Sequence, residues 1–208
     1  DGPMSRGLGD VYKRQALHDA LKVLQNKQIL LYPTDTVWGL GCDATCVEAV
    51  AKIFELKNRV ESKSLVILVS SIEMLKAYIQ EIPEKALKII KISENPTTVI
   101  YQNPKGLASN TIASDHTIAI RIPSHDYCLD LINLFGKPIV STSANVSGEP
   151  TPKSFSEISQ PILEGVDYIV NLERDKITDK SSTILKLIGE DIVVTVSYTH
   201  LTLPTMVQ

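Results

Sequence analysis

The sequence predicts an α/β fold in which one sheet is packed by helices, mostly within a single domain. Short apolar runs typical of buried strands alternate with segments whose apolar residues recur at helical spacing. The length of 208 residues suits one domain, or at most two small ones, and is enough to bury a sizeable core. The most linker-like stretch, residues 148–152, is too short to separate two domains.

In the first half of the chain, helices are predicted where apolar residues share one face and where a capping-box sequence opens the segment. Proline is tolerated as the first residue of a helix, so Pro83 is taken as the start of one predicted helix. The predicted elements are, in order, a helix with Ala16, Leu17, Ala20, Leu21 and Leu24 on one face, a strand over 28–32, a helix opened by Thr45-x-x-Glu48 with Val47, Val50, Ala51 and Phe54 inward, a strand over 65–69, a short helix opened by Ser70-x-x-Glu73 and ending near Gln80, and a helix from Pro83 to about Ser93.

In the second half, strands are predicted from short apolar or β-branched runs, and helices from longer periodic segments. A glycine directly after a periodic segment marks the end of a helix. The predicted elements are strands over 97–101 and 117–122, a helix over 127–135 ended by Gly136, a strand over 138–142, a helix over 154–163 interrupted by Pro161, and strands over 168–171, 183–187 and 192–196.

Both ends of the chain look foreign to the rest. Residues 1–15 show neither helical nor strand periodicity, and residues 197–208 follow a strand with a polar tail that contains a proline. Both resemble translated adaptor sequence. We therefore predict that the folded domain spans residues 16–196 and that the two tails are non-native.

Composition excludes several function classes. The net charge of −3 offers no global attraction to nucleic acid or to an anionic membrane. No apolar run approaches the roughly 20 residues that span a bilayer, and no signal-peptide pattern is present. The three cysteines and four scattered histidines lack the spacing of a zinc site, which predicts no protein-bound metal and reduced thiols. We expect a cytoplasmic protein that does not bind membranes.

The most informative segment follows the first predicted strand. Residues 33–41 read P-T-D-T-V-W-G-L-G, a strand-to-loop junction rich in small hydroxyl groups. Pro33 stops the strand, while Gly39 and Gly41 allow close approach of other groups. Such junctions at strand ends in α/β sheets commonly bind ligands. The alternative is an ordinary loop with a capping threonine or aspartate.

A cluster of cations follows the second predicted helix. Lys57 and Arg59 can converge only if the helix has ended, because residues two apart share a side of an extended chain but not of a helix. Converging cations beside a hydroxyl-rich loop suit phosphate binding. The alternative is a solvated helix end, where cations complement the helix dipole.

A third polar segment directly follows a buried strand. Ser141, Ser143 and Asn145 alternate, so an extended backbone places all three on one side, and Gly148 then lets the chain turn. Aligned hydroxyls and an amide can both donate to and accept from a polar ligand. A plain surface loop is the alternative.

Several common catalytic signatures are missing from the sequence. There is no P-loop, no dinucleotide fingerprint, no G-x-S-x-G elbow and no H-E-x-x-H motif. His116 and His125 are interpreted as surface or loop residues and not as catalytic bases.

Together, these segments resemble the YrdC-like threonylcarbamoyl-AMP synthase family. The resemblance rests on P-T-D-T-V-W-G-L at 33–40, K-x-R at 57–59 and S-T-S-A-N-x-S-G at 141–148. It extends to A-I-R-I-P at 119–123, similar to the family's V-x-x-R-x-P, and to S-S-T-I at 181–184, similar to its P-S-T-I. Two departures are Trp38, where tyrosine is usual, and Ser181 in place of the proline.

The resemblance implies a twisted, open, mixed sheet with flanking helices around a concave basic cavity. It also implies a nucleotidyltransferase that joins L-threonine, bicarbonate and ATP, with Mg²⁺ on the nucleotide, into threonylcarbamoyl-AMP and pyrophosphate. The product would pass to a downstream tRNA threonylcarbamoyl-transferase for modification of position 37, with tRNA or double-stranded RNA as a further partner.

Roles follow residue by residue from the same resemblance. Lys57 and Arg59 would be catalytic, and replacing either by alanine is expected to abolish turnover and leave the fold intact. The expected L-threonine ligands are Thr36, Arg121, Ser143 and Ser182. The expected ATP ligands are Lys57, Arg59, Lys63, Thr117, Ser141 and Asn145, with Thr34 near the same cavity.

Two rival functions remain open at this point. One is a non-catalytic module for double-stranded RNA or tRNA, and the other is a YciO-like paralogue with the same fold. The intact K-x-R and S-x-N patterns count against the paralogue. The family's last strand is normally followed by a basic residue that holds ATP, whereas here residues 192–196 run directly into the polar tail, which predicts weakened ATP binding.

Overall fold

The computed structural model describes residues 3–58 and 65–196. Within these ranges the helices are α1 (Pro3–Gln25), α2 (Val47–Lys57), α3 (Ile72–Tyr78), α4 (Glu84–Ile92), α5 (Asp126–Phe135) and α6 (Gln160–Gly165), with short 3₁₀ turns at Ser109–Thr111 and Phe155–Glu157. The strands are β1 (Leu30–Tyr32), β2 (Gly39–Gly41), β3 (Val66–Leu68), β4 (Thr97–Gln102), β5 (Thr117–Arg121), β6 (Ile139–Ser143), β7 (Tyr168–Ile169), β8 (Thr183–Ile188) and β9 (Asp191–Val196).

The described strands form one mixed sheet in the order β7-β1-β2-β6-β3-β5-β4-β8-β9. Strand pairs β1/β7, β3/β5 and β4/β8 are parallel, and the remaining pairs are antiparallel. The predicted fold class, an open mixed α/β sheet with flanking helices, is confirmed.

One face of the sheet carries the main core. Side chains of residues paired across strands point to the same face, so the register defines each face. On this face Leu31, Leu40 and Val140 continue through Ile67 and Ile120. They pack with buried residues of α2, α3, α4 and α6 into one large apolar cluster.

The other face is covered over only part of its area. Leu30, Tyr32, Leu68 and Ile139 pack against α1 and α5 in a second cluster. Farther along β6, β3, β5 and β4 the same face carries the smaller or more polar side chains Ser141, Ser143, Val66, Ala119, Arg121 and Thr98. The two helices therefore leave a polar area of sheet beside the second cluster, and this area positions the candidate site.

Strand β2 was not predicted, because its sequence Gly39-Leu40-Gly41 reads as a loop. Glycine weakens a strand unless a close approach requires it. Here the ring of Tyr32 lies against Gly41, and the Tyr32 hydroxyl donates to the Val140 carbonyl at 2.9 Å. The glycine leaves room for a buried tyrosine between neighbouring strands.

The first helix is longer than predicted. It begins at Pro3, although residues 1–15 show no helical periodicity in the sequence, and the start of the native domain at residue 16 stays a prediction. Side chains of residues 7–15 are nevertheless mostly exposed, and burial begins at Ala16 and Leu17. The N-terminal part of α1 thus lengthens the helix but contributes almost no buried side chains to the core.

Both predicted capping boxes are wrong. The Thr45 hydroxyl donates to Asp43 at 2.6 Å, and Cys46 is the N-cap of α2 without a capping side-chain bond among the described residues. Val47, predicted inward, is 49% exposed. At α3 the capping oxygen belongs to Ser71, one residue later than predicted, and accepts from the Met74 amide at 3.0 Å.

The predicted helix over 154–163 is wrong in its first half, which holds a 3₁₀ turn at Phe155–Glu157, and α6 begins only at Gln160 with Pro161 in its first turn. The other boundaries agree with the sequence prediction to within a few residues. Gly136 ends α5 at a φ of 76°, in the left-handed region that glycine favours. Pro83 precedes α4 as its N-cap, whereas it was predicted to be the first helical residue. Among the described residues, no helix is long and apolar enough to cross a membrane.

We predict that Gly41→Ala destabilises the fold. A Cβ at this position would lie 2.5 Å from the Tyr32 ring and 2.9 Å from the Val140 carbonyl oxygen. Forcing an extra methyl group into a packed site costs about 1–3 kcal/mol. Urea denaturation should show that loss in the free energy of unfolding.

The matched control is Gly9→Ala, at a helical position where an added Cβ meets no atom within 4 Å. This variant should be as stable as the parent or slightly more stable, because alanine is the better helix former. Equal stabilities for the two variants would contradict the packing at Gly41.

Candidate active site

The loop after β1 has a fixed conformation. The Thr34 hydroxyl donates to the Val37 carbonyl at 2.7 Å and accepts from the Thr36 amide at 3.1 Å. Its oxygen also lies 3.1 Å from the Thr36 hydroxyl oxygen. Threonine hydroxyls that bond to nearby backbone stabilise turns of this kind. The loop consequently presents Thr36 and Val37 to a neighbouring cleft.

Arg121, at the end of β5, joins this loop through a buried ion pair. Its Nη2 donates to Asp35 Oδ1 at 3.0 Å and to the Thr36 hydroxyl at 3.3 Å. Both charged side chains are only 4% exposed, and the second Asp35 oxygen accepts from the Ser124 amide at 3.2 Å. Sequence analysis selected Arg121 and Thr36 but missed Asp35, whose partner lies 86 residues away.

In the part of the chain described, one guanidinium donor of Arg121 is buried without a partner. Its Nε is buried and has no hydrogen-bond partner in the described part of the chain. A buried donor without an acceptor costs roughly 1–3 kcal/mol. An arginine edge beside a hydroxyl is well suited to binding a carboxylate. The geometry therefore points to a carboxylate ligand at this place.

Lys57 is buried at the end of α2, with 1% of its surface exposed. Its ammonium donates to the Asn145 carbonyl at 2.9 Å, to Asn145 Oδ1 at 3.3 Å and to the Ser143 carbonyl at 2.5 Å. The alternative of a solvated helix end is therefore wrong for Lys57. The contacts also assign it a role that sequence analysis missed, which is to hold the loop after β6.

The loop after β6 is further stabilised by its own polar groups. The Ser143 hydroxyl donates to Asn145 Oδ1 at 2.5 Å, and Asn145 Nδ2 donates to the Glu149 carbonyl at 2.7 Å. The Ser147 amide donates to the Lys57 carbonyl at 2.8 Å. The predicted clustering of Ser143, Asn145 and Lys57 is thus present. Arg59 and Lys63 lie outside the described residues, so their convergence with Lys57 stays a prediction.

The remaining predicted residues lie along the polar area of the sheet beside the second cluster. Ser182 accepts from the Thr98 hydroxyl at 2.8 Å, and Thr98 is paired with Arg121 across the sheet. Ser141 lies on the same face of β6 as Ser143. Thr117 is four residues from Arg121 on β5, or about 13 Å at the usual rise per residue. Its hydroxyl donates to Asp115 at 2.6 Å. One ligand that touched both ends of β5 would have to be extended.

A cleft of about 350 Å³ opens beside these groups. It brings together the predicted residues Thr36, Ser143 and Ser182. Its other lining residues are Val37, Thr151, Pro152, Lys153, Asp179, Lys180 and Ser181. Sequence analysis missed Lys153 and Asp179, which lie in polar stretches without periodicity. Lys153, Asp179 and Lys180 all line the cleft, and the overall basic character of the cavity stays a prediction.

Neither Cys42 nor Cys128 is suited to covalent catalysis. Burial raises the pKa of the Cys42 and Cys128 thiols well above the ordinary value, so both stay protonated near neutral pH. Within residues 3–58 and 65–196, no three metal-ligating side chains converge. The site is instead built to position polar ligands by hydrogen bonds and charge.

We predict that Lys57→Ala destabilises the protein as well as impairing its activity. The substitution removes the ammonium donor from the buried Asn145 carbonyl and from the Ser143 carbonyl, which keeps its bond from the Asn145 amide at 2.9 Å. Loss of such a donor costs about 1–3 kcal/mol. This corrects the expectation from sequence that the fold would be unaffected. Chemical denaturation should report the loss.

Lys52→Ala is the matched control, because Lys52 is on the same helix and makes an exposed bond to the Lys27 carbonyl at 2.9 Å. Its stability should stay within about 0.5 kcal/mol of the parent. If Lys57→Ala were equally harmless, the buried ammonium would not be holding the loop.

Comparison with known proteins identifies the family of this chain. The Sua5/YciO/YrdC family model, described as "Telomere recombination", matches residues 22–195. A threonylcarbamoyl-AMP synthase from Enterobacter sp. (strain 638) is 30% identical over 162 residues, which are 76% of this chain and 85% of that protein. A protein of the same name from Pyrococcus abyssi is 32% identical over 77% of this chain but only 48% of its own length.

Solved structures show the same relationship. The structure of P. abyssi Sua5 complexed with L-threonine superposes with a TM-score of 0.77 at 29% identity, covering 86% of this chain and 52% of that one. E. coli YciO superposes with a TM-score of 0.76 at 22% identity, covering 88% of both chains, which shows a shared fold alone. The match to the family model over most of the described residues carries the assignment: this chain is a member of the Sua5/YciO/YrdC family.

Proposed function

We propose that this protein is an L-threonylcarbamoyladenylate synthase, a nucleotidyltransferase that makes threonylcarbamoyl-AMP and pyrophosphate from L-threonine, bicarbonate and ATP. The observation that carries the proposal is the buried Arg121 edge beside Thr36, with its Nε donor still lacking an acceptor among the described residues. Relatives named threonylcarbamoyl-AMP synthase, and a structural neighbour complexed with L-threonine, support the choice of substrate.

Arg121 binds the carboxylate of L-threonine in this proposal. Asp35 already occupies Nη2 and fixes the plane of the guanidinium, which leaves Nε as a donor for the substrate. The hydroxyls of Thr36, Ser143 and Ser182 then contact the polar groups of the amino acid. All three line the same cleft, so one small ligand can reach them together.

In this proposal, ATP lies along the polar area of the sheet beside the second cluster. Ser141 and Asn145 contact the nucleotide near β6, and Thr117 contacts it from the far end of β5. Lys57, Arg59 and Lys63 act on the phosphates, with Lys57 also maintaining the shape of the loop that holds Asn145. Mg²⁺ is bound to ATP when the nucleotide enters the site. Asp179 is the only carboxylate among the lining residues described here, so phosphate oxygens and water supply most of the metal's ligands.

The reaction needs positioning more than a protein nucleophile. The threonine amine takes up the carbon of bicarbonate with loss of water, which gives a carbamate. A carbamate oxygen then attacks the α-phosphorus while pyrophosphate leaves from the opposite side. In such phosphorus chemistry, alignment and charge neutralisation supply most of the rate enhancement. Exclusion of water by the cleft protects the unstable carbamate.

The product suits transfer to adenosine 37 of tRNA by a downstream threonylcarbamoyl-transferase. An acyl adenylate is an activated donor, and its hydrolysis would waste ATP. We therefore infer a cytoplasmic enzyme that hands its product to this partner, with tRNA as the final acceptor.

The direct test is pyrophosphate release from Mg-ATP. Release should require both L-threonine and bicarbonate, because the attacking oxygen forms only when both are present. Omitting each substrate in turn supplies the controls. Release that is independent of either substrate would contradict the proposal. Salt-sensitive RNA binding without any release would favour the binding-module alternative.

A second prediction concerns Arg121→Lys. Lysine keeps the positive charge but loses the planar edge that binds carboxylate, so the KM for L-threonine should rise about 10–100-fold. The KM for ATP should change much less, since the nucleotide contacts are elsewhere. Steady-state kinetics with each substrate varied separately will measure both values.

Arg14→Gln removes an exposed arginine on α1 and serves as the control, with unchanged values expected for both substrates. An equal rise in the two KM values for Arg121→Lys would indicate general disruption of the site and would contradict the carboxylate assignment.

A further inference from the structure

A polar segment forms one wall of the cleft but buries few apolar side chains of its own. This segment, residues 148–154, is called here the strap. Its residues Thr151, Pro152 and Lys153 line the cleft, yet most of its side chains are exposed. Segments with few buried apolar contacts open readily unless something else restrains them. The position of the wall therefore depends on the few contacts that attach the strap.

Hydrogen bonds attach the strap mainly to other exposed chain. The Thr178 amide donates to the Lys153 carbonyl at 2.6 Å, and Ser154 forms an isolated bridge with Ile177. Ile177 is itself 77% exposed. At the other end, the Glu149 carbonyl accepts from Asn145. These bonds fix the direction of the strap, but the bonds at its C-terminal end connect it to Ile177 and Thr178, which belong to a surface segment.

Phe155, directly after the strap, makes the contact to the rigid part of the site. Its ring centroid lies 5.0 Å from that of Trp38, at an interplanar angle of 55°. The Arg174 guanidinium lies 4.6 Å from the Phe155 ring on a cation–π contact. Tilted ring pairs and cations over rings are both favourable geometries. Phe155 is thus in contact with both Trp38 and Arg174.

Both partners of Phe155 are fixed in place. Trp38 is fully buried, and its carbonyl accepts from the Ala144 amide at 3.1 Å. Its indole Nε1 has no hydrogen-bond partner within the described ranges, so packing holds the ring. Arg174 follows Glu173, whose carboxylate binds His125 at 2.7 Å and Lys176 at 2.8 Å.

Another part of the cleft wall belongs to the same chain segment as Trp38. Thr36 and Val37 line the cleft, and Trp38 is the next residue. Contact between Trp38 and Phe155 therefore sets the distance between this wall and the strap. We propose that Phe155 is a positioning residue, which holds the strap against the cleft through the tilted ring contact with Trp38 and the cation–π contact with Arg174.

Three variants test the proposal. Phe155→Leu removes the ring but keeps an apolar side chain, and Phe155→Tyr keeps the ring. Phe135→Leu is the matched control, because Phe135 is a partly buried phenylalanine that packs in the second cluster on α5, away from the cleft.

The first measurement is trypsin cleavage after the exposed Lys153 under native conditions, followed by mass spectrometry. Phe155→Leu should raise the rate of this cleavage up to about tenfold, the scale on which an aromatic contact shifts local opening. Phe155→Tyr and Phe135→Leu should match the parent. Equal cleavage in the parent and Phe155→Leu would overturn the proposal, and this measurement requires neither ligand nor turnover.

The second measurement is the kinetics of pyrophosphate release, and this part rests on the proposed function. Phe155→Leu should raise the substrate KM values with kcat within about twofold of the parent, because a displaced wall weakens binding of substrate and transition state alike. Phe155→Tyr should restore the parent values. A lowered kcat at unchanged KM, also seen in Phe135→Leu, would indicate general loss of folded protein and contradict a positioning role.

The two measurements separate the two failures. If the parent releases no pyrophosphate under any condition, the proposed function fails, and the cleavage rates alone decide the role of Phe155. If the parent is active but its KM values and Lys153 cleavage are insensitive to the loss of the ring, the positioning role fails and the proposed function stands.

Discussion

The buried ion pair between Arg121 and Asp35 is the contact on which the rest of the site depends. Taking two charges out of water is costly, and only close pairing with further hydrogen bonds offsets the cost. Both partners meet this demand, Asp35 through the Ser124 amide and Arg121 through Thr36. The pair fastens the loop after β1 to the end of β5, and that loop in turn carries the cleft wall and the indole against which Phe155 packs.

Within residues 3–58 and 65–196, the site contains two buried cations that are used differently. Lys57 is surrounded by acceptors from the loop after β6, so its charge stabilises protein structure in the first place. Arg121 has its Nη2 engaged but its Nε without an acceptor in the part of the chain described. A cation among several protein acceptors holds a loop in place as well as carrying charge for the proposed phosphate contact, whereas a cation with a buried donor left over suits a carboxylate. Burial of both makes their charges less screened than surface charges would be.

Sequence reasoning located most strands because each contains a short apolar or β-branched run, and such runs are a local signal. It missed β2 because glycines read as loop, and only the distant ring of Tyr32 explains them. It misplaced the capping group of α2 because the Thr45 hydroxyl bonds to Asp43 and is not available as a helix cap. Asp35 and Phe155 were missed because no local pattern marks them. Their partners are far away in the sequence or lie in stretches without periodicity. The motif residues Thr36, Ser143 and Ser182 were predicted together and line one cleft.

Trp38 is the only tryptophan in the chain, and it is completely buried one residue from the cleft wall. Its intrinsic fluorescence therefore arises from a single place, without background from other indoles. Emission from a dry, unbonded indole shifts in wavelength and intensity when water or a charge approaches. Ligand entry and movement of the strap should both be visible by this signal in stopped-flow mixing, so the order and the rates of substrate binding can be followed on the unlabelled protein.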